Sequence, residues 1–271
     1  LNLRSLIPRG VKNRLRRLEA AIRSYRYECP VCRRRVDRFI PLAQAMPQLI
    51  SELNQHQFDM QLFAHAETLN LQRYGCPFCL ANDRSRLYAL YLRSEAERIG
   101  NGPKYRMLDI GPAKALRKLI LKLGCFDYRS ADLLRSDVDD RIDIMDMGAY
   151  ADDSFDCFIC SHVLEHVPDD RRAMRELFRI LRPDGWGIAM APIILGLNAT
   201  IEDSSITDPA ERIRRFGQKD HLRLYARHDF IERLAQAGFS VSCLGYTHFG
   251  GEVLEKNGIQ QSAVLYICGK A

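Results

Sequence analysis

Four of the nine cysteines stand in two matching knuckles, Cys29-Pro-Val-Cys32 and Cys76-Pro-Phe-Cys79. Each knuckle can place two thiolates on one ion, and together they complete a tetrahedral set of four sulfur ligands. Thiolate softness selects zinc or an iron–sulfur centre over magnesium or calcium. Disulfides and a redox pair compete, but disulfides conflict with a reducing compartment and a redox motif needs only one such pair. Structural zinc on Cys29, Cys32, Cys76 and Cys79 is the expectation. Four protein ligands leave no open position, so the ion is assigned to folding, closing an excursion of 43 residues between Cys32 and Cys76. The other five cysteines lie scattered in apolar, strand-like surroundings.

A second group of residues offers hydrogen bonding and proton transfer. The stretch Met107–Leu116, MLDIGPAKAL, reads as an apolar strand, a turn with the single glycine Gly111, and a helix. Asp109, Asp132 and Asp143 each fall at the end of an apolar run. His162, Glu165 and His166 sit in SHVLEHV, and His221 in KDHLRLY. Each also has a bland reading: Asp109 as a helix cap, Asp132 as a turn residue, Asp143 as a surface acid, His166 as a packed histidine. The segment 200–225 is rich in polar groups, among them Glu202, Asp203, Arg212, Gln218, Asp220, His221, Arg223 and Tyr225. Asp220 and His221 are expected to touch an acceptor, with His221 the favoured base. A further metal on Glu202, Asp203, Asp220 and His221 finds only weak support in the spacing.

The elements that must position these groups alternate. Strands are expected at Tyr105–Ile110, Tyr128–Asp132, Ile142–Ile144, Phe155–Cys160, Trp186–Ala191, Ser240–Leu244 and Ala263–Cys268. Helices are expected at Lys114–Leu123, ahead of the Pro183-Asp184-Gly185 breaker, and at His228–Ala237. Alternation of this kind predicts an α/β fold: a doubly wound, mostly parallel sheet with helices on both faces. Ligands then sit beyond the carboxyl ends of the strands. Before this body, LAQAMPQLISELNQ is helical in pattern, a short hairpin is expected before Tyr74, and a helix follows the second knuckle. Arg84 and Arg86 on that helix could meet an anionic substrate or simply be surface charges.

LDIGPA, the acid 23 positions later in RSADLL, DIMDMGAYADDSFDCFICSHVLEHVPDD and ELFRILRPDGWGIAMAP resemble, in order and spacing, the class I S-adenosylmethionine-dependent methyltransferases. The likeness covers residues 104–271. The cysteine lobe with FGQKDHLRLY resembles a zinc-bearing subset. The resemblance implies a seven-stranded Rossmann-like sheet with a small N-terminal zinc-binding lobe. It places Asp109, Ile110, Gly111 and Pro112 at the cofactor's amino-acid tail, and Asp132 and Leu133 at the ribose. Asp143 and Ile144 would meet the adenine, with Ser161 and His162 beside them. His162, following the fourth strand, also joins Asp220 and His221 as a catalytic candidate. The expected division is an arm at 1–28, a zinc lobe with linking helix at 29–100, and a methyltransferase domain at 101–271. O-methylation of a small molecule or glycan, surface polysaccharide or lipid-linked sugar included, is the leading expectation. A protein or RNA methyltransferase and a non-catalytic binding protein are the alternatives.

Charge bears on partners. Residues 1–28 hold eight basic groups against two acidic ones, which accounts for the whole net charge of +6; the remainder balances at 32 of each sign. On that count the body is not a broad nucleic-acid-binding surface. The arm carries Val11, Leu15, Leu18, Ala21 and Ile22 on one helical side, a pattern suited to a peripheral membrane contact or to self-docking. No apolar run reaches the roughly 18 residues of a membrane span. A cytoplasmic setting, peripheral at the inner membrane face in the arm-anchored version, is expected. Oligomeric state is left open.

Overall fold

The computed structural model describes residues 25–271; the arm up to residue 24, with its amphipathic pattern, lies outside the described residues. Strands β1 (Tyr27–Glu28) and β2 (Arg35–Val36) pair antiparallel around the first knuckle. Three short helices fill the excursion: α1 (Leu42–Ala45), α2 (Pro47–Gln55) and α3 (Met60–Ala64). The hairpin expected before Tyr74 is not formed. Asn70 instead folds its side-chain oxygen onto the N–H groups of Gln72 and Arg73, a local turn that competes with strand pairing. After the second knuckle, α4 (Asp83–Ile99) is capped by Asn82, whose side chain accepts from the Ser85 N–H, and it ends at Gly100.

The body continues with β3 (Tyr105–Ile110), α5 (Lys114–Leu123), β4 (Phe126–Asp132), β5 (Asp140–Arg141) and β6 (Phe155–Ser161). Then come α6 (Asp170–Ile180), β7 (Leu181–Met190), β8 (Ile201–Glu202), α7 (Pro209–Phe216), β9 (Arg223–Leu224) and α8 (Arg227–Gln236). The chain closes with β10 (Ser240–Leu244), α9 (Tyr246–Phe249), α10 (Gly251–Lys256) and β11 (Leu265–Gly269). The expected seven-stranded sheet is present, in the order β10-β11-β7-β6-β3-β4-β5. Strands β5, β4, β3, β6 and β7 run parallel to one another, and β11 lies antiparallel between β7 and β10. Met107 to Ile110 are all buried, as a strand covered on both faces requires. The chain reverses direction across the sheet beside β3, which has β4 on one side and β6 on the other.

Two strands depart from expectation. The third is the two-residue β5 at Asp140–Arg141, not Ile142–Ile144, because Asp143 bends the chain by accepting from the Met145 N–H. The fifth starts at Leu181, with Pro183-Asp184-Gly185 thrown out as a bulge between the pairs Phe155–Leu181 and Cys157–Trp186.

The cysteine region and the body share one hydrophobic core, running from Tyr27 and Phe39 through the sheet to Cys268. Its polar centre is Arg86, a fully buried side chain and not a surface charge. Its guanidinium donates to the carbonyls of Arg73, Tyr74, Ala81, Asn257 and Gly258 and lies 3.9 Å over the Phe39 ring. A second joint is Glu67, buried, which accepts from Tyr266 Oη at 2.7 Å and from Arg227. Arg86→Lys keeps the charge but offers three donors where the guanidinium offers five. It should lower stability by at least about 2 kcal/mol through unpaired buried carbonyls. Thermal unfolding of the two proteins checks this, and an unchanged midpoint would remove Arg86 from that role.

Candidate functional site

The two knuckles fold alike. In each, the residue after the second cysteine takes a left-handed backbone, Arg33 at φ 59° and Leu80 at φ 60°. Its N–H returns to the first cysteine's carbonyl, at 2.7 Å for Arg33 and 3.0 Å for Leu80. Cys29 Sγ lies 3.7 Å from Cys79 Sγ, and Cys32 Sγ 3.9 Å from Cys76 Sγ. All four sulfurs fall within 4.8 Å of one another. A tetrahedral ion with bonds of about 2.3 Å needs sulfur separations of roughly 3.8 Å, so the donor set fits such an ion.

At the carboxyl edge of the sheet, register aligns the expected cofactor residues. Ile110 pairs with Ala131 on β4 and with Cys160 on β6, so Gly111, Asp132 and Ser161 leave the sheet side by side. Gly111 has φ 66°, and a Cβ there would stand 3.0 Å from Val163 Cγ2. The following α5 has Ala113 at its N-cap and no side-chain cap, leaving N–H donors at its start for an anionic group. Asp109 is 2% exposed and accepts from Tyr128 Oη at 2.8 Å. Burial pushes its carboxyl up to about 7, against the pull of Tyr128, Arg117 and Arg135. Ile110 and Ile144 belong to the core, so they offer backbone more than side chain. Pro112 gives its carbonyl to Arg135, which ties the loops after β3 and β4 together.

Asp132 spends one oxygen on the N–H groups of Leu134 and Arg135, and Asp143 one on Met145. The turn reading of Asp132 is the one these bonds show, and they use one oxygen of each carboxylate. Leu133 and Leu134 stand 52% and 82% exposed beside Asp132. Ser161 Oγ shares a hydrogen bond of 2.8 Å with the buried Tyr88 hydroxyl.

Next to this edge lies a cavity of about 140 Å3. Its walls are largely apolar, with Leu49, Phe58, Phe63, Ile193, Ile194 and Phe216 among them, and Arg84, His162, Gln218 and His221 also line it. Helices of the excursion thus form part of the wall, held by Glu67 N–H to Ile193 O at 2.9 Å and Leu195 N–H to His65 O at 2.8 Å. His162 occupies a left-handed backbone at φ 56°, strained for a residue with a Cβ. Arg84 lies against its imidazole, 2.8 Å from Nδ1. Burial pushes the His162 imidazolium down to about 4, with Arg84 acting the same way and Glu165 opposing. A neutral ring at pH 7 can take a proton.

Behind His162 stand Glu165, His166 and His221. Glu165 is fully buried; burial raises its carboxyl, and the neighbouring imidazoles of His162, His221 and His166 oppose that only while they carry a proton. His221, 3% exposed, meets His166 edge to face with ring centroids 4.7 Å apart. Asp220 is not in the cavity wall: its carboxylate is 60% exposed and 3.4 Å from His166 Nδ1. The metal set of Glu202, Asp203, Asp220 and His221 does not assemble. Glu202 is taken by Arg223 and Arg233, while Asp203 turns onto Ser205.

Most polar groups of 200–225 are structural. Arg223 donates to the carbonyls of Leu164, Val167 and Pro168, and Tyr225 Oη donates to Asp170 at 2.7 Å. They fix the loop that carries Glu165 and His166. Sequence reasoning gave Arg84 no firm place in the site, and it missed Tyr88 and Tyr128 altogether. A helical position facing the strand ends was the one available signal for Arg84.

Residues 114–189 match the methyltransferase-domain family. Comparison with curated protein sequences gives no match. Among solved structures, the chain is similar to a SAM-dependent methyltransferase from Archaeoglobus fulgidus, at 13% identity and TM-score 0.43, covering 68% of this chain and 92% of that one. It is also similar to the Burkholderia thailandensis 1,6-didemethyltoxoflavin-N1-methyltransferase, crystallised with S-adenosylhomocysteine, at 14% identity and TM-score 0.41, covering 68% and 76%. At these identities and scores neither likeness bears on substrate or partner. The matched segment runs from α5 to β7 of the seven-stranded sheet, and this part of the chain is similar to a methyltransferase domain.

Proposed function

We propose that the chain methylates a hydroxyl on a small, largely apolar acceptor, with the four cysteines holding a structural zinc ion. The cavity beside the cofactor edge carries this reading: its walls are apolar, and its few polar groups include His162 at the end of β6. Apolar walls with a few convergent polar groups are the usual form of a small-molecule site. They suit a lipid or aromatic moiety better than a free sugar, so a glycan acceptor would enter through an apolar portion. S-adenosylmethionine supplies an activated methyl group, and the residues of the chain align the acceptor, exclude water and take its proton. His162 is the nearest base candidate to the cofactor edge. His221 stands deeper, its Nδ1–H donating to the Phe216 carbonyl at 3.1 Å.

A macromolecular acceptor has its own supporting observation. A groove of about 970 Å3 between the knuckles and α5 is lined by Arg33, Arg34, Arg93, Lys114, Lys118 and Lys122, with no carboxylate among the described lining residues. Phe78, 53% exposed, carries the Arg34 guanidinium 4.7 Å over its ring at the groove's edge. A charge count that balances over the body therefore conceals a local cationic surface. Among the described residues no helix is long and apolar enough to cross a membrane.

A methyl-transfer screen of hydroxylated small molecules, lipid-linked glycans, protein and RNA tests the reading. Turnover should appear with an apolar hydroxylated compound and fall at least about tenfold when Phe63→Trp or Ile194→Phe fills the cavity. Salt-dependent turnover on RNA or protein alone, lost in an Arg34→Ala, Lys118→Ala double variant, would overturn it.

Cofactor binding gives two further expectations. Gly111→Val puts a branched side chain at positive φ against Val163 and should abolish S-adenosylmethionine binding in calorimetry. Ala113→Gly, at an N-cap that uses no side chain, should change affinity less than about threefold. Silence of both would make the loop an ordinary turn.

Asp109, with its folded pKa raised to about 7, stabilises the cofactor-free fold at low pH, and that contribution is lost as pH rises through about 7. A cofactor ammonium favours the ionised carboxylate, so affinity should strengthen as pH rises from 6 to 7.5. The dependence should vanish in Asp109→Asn, and a pH-independent wild type would exclude the contact.

A further inference from the structure

The cluster behind His162 has the makings of a second metal centre. Glu165, His166 and His221 present one ligand atom each within 4.8 Å of the others. Both imidazoles are set for the purpose by their outer partners. His221 Nδ1 lies 3.1 Å from the Phe216 carbonyl, which can only accept, so Nδ1 carries the proton. The lone pair of neutral His221 is then on Nε2, which is buried and has no hydrogen-bond partner. His166 repeats the arrangement, with Nδ1 3.3 Å from the Asp220 carbonyl and 3.4 Å from its carboxylate. Its Nε2 faces Glu165 Oε1 at 4.0 Å. A ligating histidine usually shows this pattern, its far nitrogen held by a carbonyl or carboxylate.

The carboxylate gives an independent observation. Glu165 is 0% exposed, and neither oxygen has an aligned hydrogen bond. The nearest cationic candidate, His162 Nδ1, is 3.0 Å away but not aligned for one. A buried carboxylate left in this condition is costly unless a cation completes it. The backbone around it is firmly held by the Arg223 guanidinium and by Leu222 N–H, which donates to the Glu165 carbonyl at 2.8 Å. Ligands on one ion with bonds near 2.1 Å stand roughly 3.4 Å apart, so small side-chain rotations close the set.

We propose that Glu165, His166 and His221 bind a divalent transition-metal ion at the edge of the acceptor cavity, distinct from the four-cysteine site. Two imidazoles and one carboxylate suit zinc, iron(II) or cobalt(II) and leave coordination positions open. The proposal rests on the reading that the cavity holds the acceptor. A hydroxyl coordinated there gives up its proton more readily, to the neutral imidazole of His162 in the same cavity wall, and its oxygen then forms the bond to the methyl carbon as the carbon–sulfur bond breaks. Asp220 becomes a positioning residue that orients His166.

Full-length protein stripped of metal and titrated with cobalt(II) tests this directly. Two equivalents per chain are expected, one with thiolate charge-transfer absorption and one with ligand-field bands alone. Glu165→Gln and His166→Gln should lose the second equivalent and keep the first, and Asp220→Asn should weaken the second about 10–100-fold. Circular dichroism and cofactor calorimetry on the same samples guard against unfolding, and His166, a third exposed, is the variant of choice if a buried one fails to fold. A folded wild type that binds cofactor but only the thiolate equivalent overturns the metal site alone. A second equivalent that persists in both ligand variants overturns it as well. Two equivalents without cofactor binding would instead uphold the metal site and defeat the methyltransferase reading beneath it.

Discussion

The buried guanidinium of Arg86 is the interaction on which the arrangement depends. Its donors satisfy carbonyls from the approach to the second knuckle, from the knuckle itself and from the turn before the last strand. Burial weakens the hold on its proton, and the nearby Asp83 acts against that effect. A buried cation is tolerable only when its hydrogen bonds are complete, and here completeness requires three separate chain segments to arrive together. The cysteine region is therefore fixed to the body at its polar centre as well as through the shared core.

That attachment has a functional consequence. Because the knuckles hold both ends of the excursion, its helices can lie across the carboxyl end of β6 and β7 and close the cavity there. The segment 200–225 packs on those helices, with Ile213 against Leu53 and Phe58, and is pinned by Arg223, Tyr225 and Arg233 to the loop after β6 and the start of α6. The excursion and the segment 200–225 thus supply walls of the cavity and His221, while the sheet supplies the edge where Gly111, Asp132 and Ser161 emerge side by side. Strain at His162 and an unpaired carboxylate at Glu165 sit where these parts meet, as expected when a site departs from what folding alone would favour.

Legibility in the sequence followed the range of the interactions. β3, α5 and β10 fall on the expected residues because strand and helix periodicity and a terminal glycine are local signals. β5 and the start of β7 were displaced by an aspartate turn and a bulge, each decided by hydrogen bonds that hydropathy does not record. Charged residues were the least legible. Arg86 read as a surface or substrate group and Arg223 as one polar residue among many, yet both are buried clamps, since sequence does not reveal which carbonyls a guanidinium will meet.

The sequence by itself determined the order of the main strands and helices, the two cysteine knuckles, and the acids near the strand ends. Those features follow from periodicity, from knuckle spacing, and from the rule that parallel sheets present their carboxyl edges together. Only the tertiary structure decided that the excursion walls a cavity, that Asp220 stands behind His166 and outside that wall, and that Glu165 and His166 meet His221. Such meetings depend on packing between distant segments, where burial and the need to satisfy every buried polar group select one arrangement that no local pattern encodes.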